Sequence, residues 1–279
     1  MTEPAPKEIL EATPAPAAAA KPGPNGEKPF PSDIKLRHET SVDNPVGWRY
    51  ERKTLSDHFA FAACKFMRFF ADRFFKHRFG HRAVVLETVA AVPGMVGSAF
   101  NHFRALRGLK EDNGRIRMLM DEAENERMHL MTFLEVAKPT KLERLLISVG
   151  QAGFVGLYSL AYVFNKRTAH RFVGLIEEEA VKSYTEYLAH IDSGKIKNVD
   201  APEIAKKYWN LPKGAKLRDV VLAVRNDEAE HRDVNHRLAS ELDQKKKERA
   251  AEKQAAKLAK KQAKVKKPVV APAPKPQTA

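Results

Sequence analysis

Cysteine is almost absent from this chain, whose 279 residues include only one, Cys64. A single thiol cannot form an intramolecular disulfide, and cysteine-based zinc and iron–sulfur sites require sets of thiols. We therefore expect any metal ion in this protein to be held by carboxylates and histidines.

The alternation of apolar and polar residues that marks a β-strand is absent, and so is any repeat of solenoid length. Apolar residues instead recur with helical spacing, and clusters of glycine and proline interrupt them. The pattern predicts helices near residues 55–77, 82–107, 112–137, 141–165, 168–192 and 216–242. Because 43% of the residues are hydrophobic, the chain can bury a sizeable core. The predicted fold is an all-α bundle.

Negative charge is in short supply, since 35 Asp and Glu face 49 Lys and Arg, a net charge of +14. Residues 245–267 alone hold eleven basic and two acidic residues, a net charge of +9. Such a tail is typically solvated. Binding to anionic lipid is the second interpretation, with about 1 kcal/mol for each basic residue near the surface. Nucleic-acid binding is the least favoured, because the tail has no aromatic residues to stack on bases.

These shifts in composition predict three regions. Residues 1–44 form a disordered leader, with eight prolines and an alanine run within residues 1–31. Residues 45–242 form the helical domain, and residues 243–279 form a basic tail rich in lysine, alanine and proline. The leader lacks the arginine-rich, acid-poor composition of a mitochondrial presequence. We therefore expect a bacterial protein, or one whose presequence has been removed.

Two of the predicted helices raise the question of a membrane. Seven phenylalanines fall in the first of them: Phe59, Phe61, Phe66, Phe69, Phe70, Phe74 and Phe75. Basic residues lie between them, which suits a helix in the bilayer interface or an ordinary amphipathic core helix. The fourth predicted helix carries no charge over residues 145–165. That length would cross a bilayer, but it would equally suit a buried helix.

Two Glu-x-x-His pairs occur in predicted helices, Glu126 with His129 and Glu228 with His231. Side chains three residues apart project from the same helix face, so each pair can offer a carboxylate and an imidazole to one metal ion. A short motif of this kind is weak evidence by itself, because chance placement produces it. Its weight comes from a glutamate with apolar flanks in the helix that precedes each pair.

The first of these glutamates is Glu87, which lies among small and apolar residues over 84–94. The second belongs to the run 177–179 and can be identified by helical phase. The residues at i+3, i+4, i+7 and i+11 from Glu177 are Ala180, Val181, Tyr184 and Leu188. The same offsets from Glu178 and Glu179 give more polar faces, and that of Glu179 is predicted to face water. Glu177 is therefore predicted to point inward.

One glutamate from each of two helices and a Glu-x-x-His pair from each of two others is the di-iron carboxylate arrangement. Four carboxylates and two neutral imidazoles balance two divalent ions, and oxygen and nitrogen ligands suit iron or manganese. The alternative is that these acids form ordinary interhelical salt bridges. The apolar flanks of Glu87 and Glu177 speak against that alternative, because unpaired buried charge is unfavourable.

Four segments that contain these residues resemble the ligand motifs of the alternative oxidase family. They are Leu86–Met95 (LETVAAVPGM), Asn125–Leu130 (NERMHL), Glu177–Ala180 (EEEA) and Asp227–Arg232 (DEAEHR). The resemblance covers roughly residues 45–240. It implies a ferritin-like four-helix di-iron bundle with additional membrane-surface helices. It also implies a cyanide-resistant ubiquinol oxidase that reduces oxygen to water at two iron ions without pumping protons.

The resemblance further implies a monotopic homodimer on the inner membrane, on the cytoplasmic side in a bacterium or the matrix side in a mitochondrion. The first and fourth helices would form its membrane face, and neither would span the bilayer. Nucleic acid would not be a partner. Asn226 and the position of Cys64 depart from the family pattern, and the second departure makes thiol regulation doubtful.

Site residues follow from the same resemblance, position by position. The implied iron ligands are Glu87, Glu126, His129, Glu177, Glu228 and His231. The implied quinol pocket is formed by Arg82, Leu86, Ala180 and Ser183. Asn125, His170, Trp209 and Asp227 would form a hydrogen-bond network around the ligands. Tyr184 would be the catalytic tyrosine beside the irons.

Plainer roles remain open for several of these residues. Tyr184 could be a core tyrosine and Trp209 a packing residue. Arg82 could be solvated, and Asp227 could be a surface acid. At the level of the whole protein, the alternatives are a di-iron hydroxylase of quinone precursors, a ferritin-like iron-binding protein and a metal-free helical membrane adaptor.

Overall fold

The structure, a computed structural model, describes residues 44–76 and 78–265. Seven helices occur in this part of the chain: α1 (Leu55–Phe75), α2 (Phe79–Gly108), α3 (Arg115–Val136), α4 (Lys141–Phe164), α5 (Lys166–Asp192), α6 (Glu203–Tyr208) and α7 (Leu217–Val265). Within the described ranges, the only β pairing is an isolated bridge between Asp200 and Lys216. The prediction of an all-α fold is confirmed.

The bundle consists of two helix pairs, α2 with α3 and α5 with α7, which are covered by α1 and α4. α1 packs mainly on α5, and α4 packs on both α2 and α5. A buried apolar core lies between α3, α5 and α7, where Phe133, Val220, Val221 and Val224 are inaccessible to solvent. The four bundle helices are the four that carry the predicted ligands.

Local signals explain four of the helix ends. Capping boxes begin α1 at Thr54 and α4 at Thr140, where the hydroxyl accepts a backbone N–H and the acid three residues later bonds back. α2 ends before Leu109 in the left-handed region, and Gly114 precedes α3 with φ +74°. Glycine adopts this φ without strain. These ends agree with the break predicted between the helices near residues 82–107 and 112–137.

Two features of the fold differ from the sequence prediction. The short helix α6 was not predicted, and α7 continues to Val265 rather than ending near residue 242. The extra turns consist mostly of alanine, lysine and glutamine, which favour a helix without any apolar periodicity. Apart from Asn44, the predicted leader lies outside the described residues, and so does the tail from residue 266 onward.

Gly94 sets the distance between α2 and α3. A Cβ atom at this position would lie 2.4 Å from the carbonyl oxygen of Leu119 and 3.0 Å from the Cβ of Ala123. Because real Cβ atoms do not come so close to backbone, the two helices can approach this far only over a glycine. The approach brings Glu87 of α2 beside Glu126 of α3.

A large apolar surface is exposed on α1 and α4. We use the term aromatic face for the exposed side of α1 formed by Phe59, Phe66, Phe69, Phe70 and Phe74. The exposed apolar residues of α4 are Leu142, Leu145, Leu146, Val149, Val155, Leu157, Leu160, Val163 and Phe164. By length and composition α2 and α4 could each cross a bilayer, although half of the most apolar 18-residue stretch of α2 is buried in the bundle. That criterion is weak evidence for a span.

Candidate metal centre

Carboxylates and imidazoles from three helices meet at the centre of the bundle. Ligand atoms of Glu87, Glu126, His129 and Glu228 all lie within 4.8 Å of one another. His129 Nδ1 lies 3.4 Å from Glu87 Oε2, 3.3 Å from Glu126 Oε2 and 3.4 Å from Glu228 Oε1. All four residues are buried.

The remaining two predicted ligands border the same cluster. His231 Nδ1 lies 2.7 Å from Glu126 Oε1 and 3.9 Å from Glu228 Oε2. Glu177 of α5 is buried and interacts with the carboxylate of Glu228. The structure therefore brings together every side chain that the sequence predicts as a ligand.

Several polar atoms at this centre make close contacts without the geometry of a hydrogen bond. Glu87 Oε2, both carboxylate oxygens of Glu126, His129 Nδ1 and His231 Nδ1 are buried, and their short contacts with one another do not meet hydrogen-bond geometry. A buried polar atom left unsatisfied is costly, typically about 1–3 kcal/mol. Cations bound between these atoms would satisfy them, and the oxygen and nitrogen donors suit iron. The donor set thus fits a pair of metal ions.

The pKa values of these side chains are those expected of a site that binds cations. Burial, together with repulsion from Glu126 and Glu228, raises the pKa of Glu87 and of Glu177 well above the usual range. Burial lowers the pKa of His231, but Glu126 outweighs it and the pKa rises to about 10. Without metal, the cluster therefore retains protons that bound cations would displace.

Asp227 fixes the orientation of His129. Its Oδ2 accepts hydrogen bonds from Trp209 Nε1 at 2.8 Å, from Asn125 Nδ2 at 2.9 Å and from His129 Nε2 at 3.2 Å. With Nε2–H engaged, the Nδ1 atom of His129 faces the carboxylates, as a metal ligand requires. Asp227 is buried, so it is not a surface acid, and Trp209 has a polar contact in addition to its packing.

A second hydrogen-bonded chain lies on the other side of the centre. His170 Nδ1 donates to Asn235 Oδ1 at 3.0 Å, because the amide oxygen can only accept. Asn235 Nδ2 in turn lies 2.9 Å from Glu122 Oε1. Burial lowers the pKa of His170 to about 4 and raises the pKa of Glu122 to about 7.

Glu122 and Asn235 were not predicted from the sequence. Glu122 lies one turn before Glu126, and Asn235 lies one turn after His231, so each shares the helix face of a ligand. Extending the helical phase of the two Glu-x-x-His pairs by one turn in each direction would have identified both.

Tyr184 lies beside the cluster. Its hydroxyl donates a hydrogen bond to Glu87 Oε1, and its ring stacks on Phe133 with centroids 5.8 Å apart. Burial, together with the charge of Glu87, raises the pKa of the Tyr184 phenol well above its usual value. The phenol therefore stays protonated at physiological pH.

A mostly apolar cavity leads from the surface to this centre between α1, α2, α4 and α5. It measures about 900 Å³, counting the solvent space at its mouth. The predicted pocket residues Arg82, Leu86, Ala180 and Ser183 all line it. Glu87, Glu177, Tyr184 and Glu228 line it as well, so the cavity reaches the predicted ligands.

Charged groups concentrate where α1 borders the cavity. Arg82 is buried and its Nη1 lies 2.5 Å from Asp72 Oδ1, so it is not a solvated arginine. Glu179, predicted to face water, is buried at 5% exposure. The prediction was wrong because α1 covers this face of α5, and Lys65 Nζ reaches Glu179 Oε1 at 2.6 Å.

Fold and donor set together define a di-iron carboxylate protein. The sequence model described as alternative oxidase matches residues 38–240 of the chain. The chain belongs to the alternative oxidase family, and its buried glutamates and histidines fit the di-iron centre of that family.

Individual relatives agree with this assignment. The chain is 52% identical over 210 residues to a ubiquinol oxidase of Trachipleistophora hominis. The matched stretch covers 75% of this chain and 66% of that protein. It is 50% identical over 211 residues to alternative oxidase 3, mitochondrial, of Glycine max. That match covers 76% of this chain and 64% of the Glycine max protein. The match with the ubiquinol oxidase of Batrachochytrium dendrobatidis covers 60% of that protein. The chain therefore spans less than two thirds of the length of these relatives.

Proposed function

We propose that this protein is a ubiquinol oxidase that reduces oxygen to water without pumping protons. Two iron ions would be held by Glu87, Glu126, His129, Glu177, Glu228 and His231. The observation that carries the proposal is the apolar cavity, whose lining includes Glu87, Glu177 and Tyr184. An apolar cavity with a few convergent polar groups suits a quinol ring.

The overall reaction oxidises two quinols to two quinones and reduces one oxygen molecule to two waters. When bound, the iron pair supplies the redox chemistry that carries four electrons from the quinols to oxygen. The protein would orient the quinol. Arg82 and Ser183 would hold the quinol oxygens, while Leu86 and Ala180 would contact the ring and exclude water.

The residues around the ligands would keep the site in one arrangement. Asp227, held by Asn125 and Trp209, would keep Nδ1 of His129 directed at the metals. His170 would act from the other side through Asn235. Tyr184 would hold its proton against Glu87 and remain available as an electron donor, which is the catalytic role proposed for it.

The exposed apolar surface of α1 and α4 supports attachment to one leaflet of a membrane. We propose a monotopic protein of the inner membrane, on the cytoplasmic side in a bacterium and on the matrix side in a mitochondrion. Several relatives are named mitochondrial ubiquinol oxidases. A homodimer is proposed on the family resemblance alone.

Oxygen uptake by membranes that contain the protein tests the activity. The assay supplies a short-chain ubiquinol in the presence of cyanide. Glu126→Ala combined with His129→Ala removes two proposed ligands, and Glu124→Ala combined with Arg127→Ala is the matched control on the exposed side of α3. Cyanide-resistant uptake that survives in the control but is lost in the ligand variant would support the proposal.

Other outcomes would favour other functions. Uptake accompanied by a hydroxylated quinone product would indicate a hydroxylase. Two bound irons per chain without any quinol-dependent uptake would indicate an iron-binding protein. Absence of bound iron in the isolated protein would remove the proposed centre altogether.

A further inference from the structure

Helix α7 continues well beyond the part of the chain that matches the family. The family match ends at residue 240, whereas α7 runs to Val265. The last ion pairs that join α7 to the bundle are Arg115 with Glu241 at 2.5 Å and Arg167 with Asp243 at 2.9 Å. We call residues Gln244–Val265 the C-terminal extension. Its residues from 244 to 262 are all exposed.

The extension is strongly basic on a helical scaffold. Nine of its residues are Lys or Arg and two are Glu, a net charge of +7. Five basic residues recur at every fourth position: Lys245, Arg249, Lys253, Lys257 and Lys261. Neighbours in this series lie one turn apart, and each step of four residues advances about 40° around the helix, so the five residues form a basic stripe that winds around it. Like charges at this spacing repel one another. The basic stripe is therefore a surface that an anionic partner would stabilise.

The point where the extension leaves the bundle lies close to the start of α1. Arg167, in the first turn of α5, bonds Asp243 through Nε at 2.9 Å. Through Nη1 the same side chain bonds Asp57 Oδ1 at 2.5 Å and Ser56 Oγ at 3.0 Å, both in the first turn of α1. Arg167 thus contacts both the base of the extension and the helix that carries the aromatic face.

We propose that the C-terminal extension binds the anionic phospholipid headgroups of the bilayer on which the aromatic face rests. The inference depends on the proposed membrane placement. A polyanionic lipid surface would lie next to the base of the extension, and contact would relieve the repulsion within the stripe. Nucleic acid is the less favoured polyanion, because the extension contains no aromatic residue to stack on bases.

The expected size of the effect follows from surface electrostatics. Each basic residue within one Debye length of an anionic bilayer, about 8 Å at physiological salt, strengthens binding about fivefold. The extension is about 33 Å long at 1.5 Å per residue. If two or three residues of the stripe reach the surface together, the preference for anionic vesicles over neutral vesicles is about 25- to 125-fold.

Vesicle flotation of the full chain tests the proposal. Vesicles of phosphatidylcholine alone are compared with vesicles that contain phosphatidylglycerol, at low and high salt. The stripe variant carries Gln in place of Lys245, Arg249, Lys253, Lys257 and Lys261. The matched control carries Gln in place of five exposed lysines elsewhere: Lys138, Lys195, Lys197, Lys207 and Lys213.

The proposal predicts that the wild-type chain and the control prefer anionic vesicles, and that salt weakens this preference. The stripe variant should lose the preference and still bind neutral vesicles as well as the wild type. Amide hydrogen exchange over residues 245–262 should slow in the wild type when anionic vesicles are added. Equal binding of the wild type to both vesicle types would overturn the proposal, and so would an undiminished preference in the stripe variant.

Two further measurements distinguish this proposal from nucleic-acid binding and from the proposed oxidase function. If a 20-base-pair DNA duplex bound the wild type more tightly than anionic vesicles at the same salt, the extension would be a nucleic-acid surface and the lipid proposal would be wrong. Quinol oxidation in detergent should be the same for wild type and stripe variant, because the extension does not line the cavity. A chain without turnover would contradict the proposed function, whereas the vesicle comparison would still decide the role of the extension.

Discussion

Asp227 connects three side chains at the metal centre through one oxygen atom, Oδ2. Replacing it with asparagine keeps the shape but removes the charge that favours Nε2–H on His129. We expect Asp227→Asn to weaken iron binding by about 10- to 100-fold, as for other residues that orient metal ligands. Iron retained during competition with a chelator measures this. Asp121→Asn, on the exposed side of α3, should retain the wild-type affinity.

Tyr184 donates its hydroxyl hydrogen to Glu87, and both side chains are buried. Tyr184→Phe removes this bond and the phenol but preserves the stacking on Phe133. We expect turnover to fall by about 10- to 100-fold, the equivalent of a hydrogen bond to a charged group. Steady-state oxygen uptake and iron content, measured on the same preparation, check this. Full turnover with two irons bound would exclude the catalytic role of Tyr184.

Individual residues could be predicted from the sequence where a helix's own pattern determines burial. Glu87 and Glu177 have apolar neighbours on their own faces, and both are buried at the centre. The burial of Glu179 could not be predicted in this way, because the residues of α1 that cover it are distant in sequence. Arg68, 111 residues earlier, donates from Nη1 to the carbonyl oxygen of Glu179. Glu122 was overlooked because it belongs to no motif, although its position one turn from Glu126 was visible.

At the scale of helices, the approach of α2 to α3 depends on Gly94. A methyl group there would collide with the backbone of Leu119. We expect Gly94→Ala to destabilise the protein by about 1–3 kcal/mol and to reduce bound iron, because Glu87 would move away from Glu126. Chemical denaturation and iron analysis measure both effects.

Gly153→Ala in α4 is the matched control for this substitution. A Cβ at Gly153 meets no atom within 4 Å, so alanine should stabilise the helix by up to about 1 kcal/mol. If both variants changed stability equally, the close contact between α2 and α3 would not be what Gly94 provides.

Helix boundaries were predictable where glycine, proline or a capping residue interrupts the chain, as at 108–114 and at Thr140. The length of α7 was not predictable from apolar spacing, because its residues from 244 to 262 are exposed in the part of the chain that the structure describes. Its continuation depends on intrinsic propensity alone. α6 was missed because six residues are too few to show a periodic pattern.

At the scale of the whole molecule, metal removal should make stability depend on pH. In the metal-free chain the pKa of His231 is raised to about 10 and that of Glu122 to about 7. The folded state therefore holds more protons than the unfolded state between about pH 6.5 and 9, and the free energy of unfolding falls as pH rises. Below pH 6.5 the lowered pKa of His170 acts in the opposite direction.

Denaturant unfolding of apo and iron-loaded protein across pH 6.5–9 checks this expectation. The apo chain should lose stability through this window. The iron-loaded chain should lose less, because metal binding becomes stronger as the ligands deprotonate. A parallel decline in both forms would mean that groups outside the metal centre determine the pH dependence.

The only cysteine of the chain, Cys64, is buried in the cavity wall, where its thiol donates to the carbonyl oxygen of Leu175 at 3.4 Å. Burial raises the pKa of this thiol to about 12, so almost no thiolate is present at neutral pH. A cysteine introduced at an exposed position would therefore be the only one to react quickly with maleimides. Spin or fluorescent labels could be attached to α1, α4 or the C-terminal extension without first removing the native thiol.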